Sequence, residues 1–78
     1  MYQVLEYDSG ITYKIGEPYD TKADAIEALK DDAHRYTVET KGEVIWNRNG
    51  EGFKVRGLTA HGADGFTTPI RMWIRKVA

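Results

Sequence analysis

The sequence predicts an α+β fold: one mostly antiparallel sheet, in the order β-β-α-β-β-β, with a single helix packed on one face. Three observations lead there. Asn49-Gly50 sits between two alternating runs and is the strongest short-range signal for a β-hairpin. The run from Lys22 to about Tyr36 holds four alanines and Leu29 and no Gly or Pro, a composition that favours a helix. Alternating polar and apolar residues also occupy both ends of the chain, residues 2–15 and 70–77. Seventy-eight residues make one small domain, 1–78.

The elements follow in order. Residues 2–7 alternate, with Gln3, Leu5 and Tyr7 on one side and Tyr2, Val4 and Glu6 on the other. Asp8-Ser9-Gly10 reads as a turn with Gly10 in a left-handed conformation. Residues 11–15 alternate again. Pairing Tyr7 with Ile11 sets Leu5 opposite Tyr13 and predicts a buried face of Leu5, Tyr7, Ile11, Tyr13 and Ile15. Gly16-Glu17-Pro18 is expected to end that strand, because Pro18 has no N–H for a ladder. Thr21 caps the helix, with Asp24 three residues on, a variant of the capping box. Ala25, Ile26, Leu29, Ala33 and Tyr36 form its packed stripe. Asp20, Asp24, Glu27 and Asp31 line the opposite side. Residues 37–40 read either as a last frayed turn or as a short extended segment before Lys41-Gly42.

A two-residue type I′ turn at Asn49-Gly50 fixes the next register. Arg48 then faces Glu51, Trp46 faces Phe53 and Val44 faces Val55. On the other side Ile45 faces Lys54 and Glu43 faces Arg56, an opposite-charge pair. Residues 58–69 form a long loop containing Gly62 and Gly65 and closed by Pro69. The last strand, 70–77, places Ile70, Met72 and Ile74 on one side and Arg71, Trp73, Arg75 and Val77 on the other. Three aliphatics outweigh one indole in buried area, so the aliphatic side is expected inward and Trp73 partly exposed.

Composition narrows the function. The chain has no cysteine, so neither a disulfide nor a thiolate metal site is available. That, and the lack of a signal-peptide pattern, fits a cytoplasmic protein. No stretch approaches the roughly 20 apolar residues of a membrane helix. The formal net charge is only −1, but residues 1–45 hold ten acids and five bases, whereas 46–78 hold two acids and six bases. Such a dipole can orient a charged partner during encounter.

Residues with catalytic potential are few. His34 and His61 are 27 positions apart, and neither stands at a metal-ligand spacing. His61 and Asp64 share a loop tip, where solvent exposure is the ordinary state. Asp31-Asp32 are helix neighbours that point apart. Ser9 sits in a turn, and the glycines lack the strand–loop–helix setting of a phosphate loop. No enzyme, cofactor or metal is expected.

A binding surface is the better reading. Arg71, Trp73 and Arg75 share a face at strand period two, and Lys54 and Arg56 share the outer face of the hairpin. Together these five residues form a basic, tryptophan-bearing patch suited to a partner's carboxylates. Tyr2, Tyr19 and Tyr36 fit either contacts or ordinary amphipathic packing. An edge strand of so small a sheet can also accept a partner's strand. In size and composition the chain resembles the small accessory proteins of phages and other mobile elements, many of which bind a host protein and block it. The expectation is a non-enzymatic module with a protein partner. The alternative is single-stranded nucleic acid held by stacking and phosphate contacts. The near-neutral charge and acidic helix weigh against it.

Overall fold

A computed structural model describes residues 1–8, 10–39, 42–56 and 70–78. It has the expected element order: β1 (Tyr2–Asp8), β2 (Ile11–Tyr19), α1 (Lys22–Glu39), β3 (Glu43–Trp46), β4 (Gly52–Arg56) and β5 (Ile70–Lys76). The strands form one five-stranded sheet in the order β2-β1-β5-β4-β3. Every neighbouring pair is antiparallel. The loop expected over 58–69, with His61 and Asp64, lies outside the described residues.

The helix begins as its sequence dictates. The Thr21 hydroxyl accepts the Asp24 N–H at 3.1 Å, satisfying one of the N–H groups left open at a helix start. The helix continues to Glu39, so residues 37–39 are its last turn rather than an extended segment. Gly42 N–H donates to the Tyr36 carbonyl at 3.2 Å beyond that end. Ala25, Leu29 and Ala33 are its buried residues. The two alanines hold the axis close to the sheet, and Leu29 fills the space between. They meet Val4, Phe53, Val55, Ile70 and Met72 in one core. Trp46 and Tyr36 flank Phe53, with ring centroids 5.1 Å and 6.3 Å away, both in tilted or edge-on geometry.

The hairpin of β3 and β4 takes the predicted register, from Glu43–Arg56 through Trp46–Phe53. Its turn differs. Asn47 N–H donates to the Gly52 carbonyl at 2.8 Å, and Gly50 N–H donates to the Asn47 carbonyl at 3.0 Å. The bend therefore spans residues 48–51, and Arg48 and Glu51 are loop residues rather than a ladder pair. Gly50, at φ +71°, takes the left-handed position, while the Asn49 side chain accepts the Glu51 N–H at 2.9 Å. Glu51 also pairs with Lys22 at 2.6 Å, linking the helix start to this bend. Glu51 hydrogen bonding and charge push the Lys22 ammonium above the usual lysine range.

The first hairpin corrects the sequence expectation more deeply. Asp8 pairs with Ile11, and Leu5 pairs with Lys14 rather than Tyr13. Only residues 9 and 10 separate the strands, with Gly10 at φ +87°. A slip of one residue exchanges the two faces. Val4, not Leu5 or Tyr7, therefore enters the helix-side core, and Ile11 and Tyr13 are about half exposed, at 54% and 45%. Leu5 is buried on the opposite face, across from Trp73.

Strand β2 also does not end at Gly16-Glu17-Pro18. The register jumps from Val4–Ile15 to Tyr2–Tyr19, so residues 16–18 bulge and the strand resumes. Gly16, at φ +69°, accommodates the bulge. Gln3 satisfies the backbone there. Its buried amide Nε2 lies 3.0 Å from Val4 O, 3.1 Å from Gly16 O and 3.3 Å from Ile15 O. Tyr2, Tyr19 and Tyr36 are half-buried and pack against the core, the second of the two readings the sequence leaves for them. Among them the Tyr36 hydroxyl donates to Glu6 Oε1 at 2.5 Å, and burial first, then Glu6, pushes its pKa well up.

Candidate functional site: the open face of the sheet

The helix covers one face of the sheet, and the cross-strand register states what the other face carries. One row runs Thr12, Tyr7, Arg71, Lys54, Ile45 from β2 to β3. The next runs Lys14, Leu5, Trp73, Gly52, and a third joins Gln3 to Arg75. Glu43 and Arg56 close the corner. Among the described residues no second layer lies over these rows.

The orientation of β5 decides this arrangement. Ile70 and Met72 are buried in the helix-side core, and Ile74 packs against it. Arg71 and Arg75 are thereby exposed on the far side, with Trp73 half-buried between them. Lys54, Arg71, Trp73 and Arg75, four of the five residues singled out in the sequence, gather on this face. Among the described residues none of these three cations has an ion-pair partner. Arg56 shares the face, but its guanidinium lies 2.9 and 3.2 Å from Glu43 Oε1, which neutralises much of its field.

Two further residues belong to the face. Tyr7, expected in the core, stands beside Arg71 with 37% of its surface exposed. Lys14 extends the basic edge on β2. Both would follow from the sequence if the first hairpin were read with a two-residue connection.

Gly52 shapes the centre. A Cβ there would lie 2.7 Å from Asn47 Nδ2, 2.8 Å from the Met72 carbonyl oxygen and 3.0 Å from Trp73 Cβ. The missing side chain lets the Asn47 amide and the Trp73 strand close in over β4. Beside them is an open depression of about 690 Å³ lined by Tyr7, Asn47, Phe53, Lys54, Arg71, Met72 and Trp73. Phe53 and Met72 point their side chains into the core, so they contribute backbone floor. The depression thus has two aromatic groups, two cations and one amide. It can stack on planar groups and bind carboxylates or phosphates.

The opposite layer has the other sign. Asp20, Asp24, Glu27 and Asp31 are all exposed on or just before α1. Glu27 is paired with Lys30 at 3.3 Å, and Asp32 with Arg35. The charge imbalance along the chain becomes a separation between two faces. His34 is exposed on the helix, and among the described residues no three metal-ligating side chains gather. Among those residues no helix is long and apolar enough to cross a membrane. Comparison with protein-family models, with curated proteins and with solved structures finds no match to this chain.

Proposed function

We propose that this protein is a non-enzymatic binding module that docks an acidic protein surface on the open face of its sheet. The observation that carries the reading is the set Lys54, Arg71 and Arg75 around Trp73, without an ion-pair partner among the described residues, on the face turned away from the acidic helix. A half-buried indole among guanidinium groups is the composition of an interface centre, where aromatics and Arg dominate. The acidic helix layer repels an acidic partner and so selects the sheet face. Docking there occupies the partner's surface, the way small accessory proteins block a host protein.

A second reading has its own observation. Tyr7 and Trp73 stand diagonally on the neighbouring strands β1 and β5, on one face, and two rings on one face can stack bases from a single strand. The two readings separate in a titration with two probes, an acidic polypeptide and a random single-stranded oligonucleotide. Saturable binding of the polypeptide, lost in Arg71→Glu and Arg75→Glu, supports protein docking. Binding of the oligonucleotide alone, steeply weakened by salt, transfers the face to nucleic acid. No binding of either probe overturns the assignment of this face.

A further inference from the structure

The sheet has two edges, and they are not alike. Strand β3 has four residues, whereas β2 presents the stretch Ile11–Ile15 before the bulge at Gly16. Among the described residues β2 pairs only with β1, so its outer backbone groups are open. Ile11 and Tyr13 stand exposed on one side of this edge and Thr12 and Lys14 on the other. An edge with exposed apolar side chains and open N–H and C=O groups is a template for another strand.

We infer that β2 pairs with the β2 of a second copy, antiparallel, about a two-fold axis at Tyr13. Self-pairing allows only registers in which a residue meets its own counterpart, because the two faces must stay matched. An axis at Lys14 sets two ammonium groups directly opposite each other, which is unfavourable. An axis at Thr12 draws in Gly10, whose φ of +87° belongs to a turn. The axis at Tyr13 uses all five residues. Ile11 meets Ile15, Tyr13 meets Tyr13, and Thr12 meets Lys14, with no like charges opposed. This two-fold axis keeps both open faces on the same side of a continuous sheet. The dimer therefore doubles the basic face, yet it stands whether or not that face docks a partner.

Sedimentation velocity of the full chain, from micromolar to millimolar concentration, tests the inference. The weight-average mass should rise from 8.9 kDa towards twice that value. Tyr13→Lys puts two cations on the axis and should leave monomer at every concentration, with unchanged circular dichroism. The register is tested by charge at residue 12. Thr12→Glu faces the second copy's Lys14 twice and should tighten the dimer by about 3- to 10-fold, while Thr12→Lys should weaken it by a similar factor. Should Tyr13→Lys fail to fold, this pair of variants still decides. A mass fixed at the monomer value throughout, or a dimer indifferent to residue 12, overturns the proposal.

Discussion

Replacing Gly52 by alanine tests the packing that supports the open face. The new methyl group meets three neighbours closer than 3.4 Å, and they differ in how readily they move. The Asn47 amide, 2.7 Å away, is a side-chain end that can swing aside. The Met72 carbonyl, 2.8 Å away, belongs to the central strand β5 and yields only if the β4–β5 ladder shifts by roughly half an ångström. Such overpacking costs about 1–3 kcal/mol. The lower chain entropy of unfolded alanine returns about 0.5–1 kcal/mol. Taken at mid-range, the net expectation is a loss of about 1.3 kcal/mol, or a fall in Tm of roughly 5–10 °C for a domain this small. Urea unfolding followed by circular dichroism measures it. Adding Asn47→Ala should recover only part of the loss, because the carbonyl contact remains. A neutral or stabilising Gly52→Ala would refute the close approach of β4 and β5 on which the shape of the face depends.

Two other substitutions probe features that position the sheet. Gln3→Leu removes the amide that serves the bulge carbonyls and should cost about 1–3 kcal/mol in urea unfolding. Gln3→Glu should cost more at neutral pH and recover as the medium is acidified, because only a protonated carboxyl can donate. Tyr36→Phe should lose about 1–2 kcal/mol at pH 7 by removing the bond to Glu6. The folded Tyr36 has its pKa raised, so its contribution is whole below the ordinary tyrosine pKa, about 10, and is lost as pH climbs above it. The stability gap between wild type and Tyr36→Phe should therefore narrow above that pH, and a constant gap would contradict the hydroxyl's bond to Glu6.

The parts of the fold set by local pattern were legible in the residues themselves. Thr21, the Ala-rich run after it and the matched pairs of the second hairpin lie close together in sequence, so their partners are few. The orientation of β5 was also legible, since Ile70, Met72 and Ile74 outweigh Trp73 in apolar area. This placed Arg71, Trp73 and Arg75 on the open face, and the pairing of β4 with β5 brings Lys54 of the second hairpin beside them. The first hairpin was not legible in the same way. Alternation in residues 2–15 permits two registers, and the choice is made by β5, which sets Ile74 beside Val4 and Met72 beside Glu6. That long-range pairing turned Tyr7 outward into the candidate site. The bulge at 16–18 was likewise hidden, because the buried partner that satisfies it is Gln3, on a neighbouring strand. The Asn-Gly signal located the second hairpin and its register but not its turn type, which the side chain of Asn49 and the position of Gly50 decide together.

Fluorescence quenching of Trp73 in a Trp46→Phe variant tests the account most directly. A half-buried indole beside Lys54, Arg71 and Arg75, cations with no ion-pair partner among the described residues, should be quenched more strongly by iodide than by caesium. The difference should shrink as salt screens the cations, over the roughly 8–10 Å Debye length of physiological buffer. Equal quenching by the two ions at low ionic strength, or none by either, would contradict a basic, accessible face around Trp73.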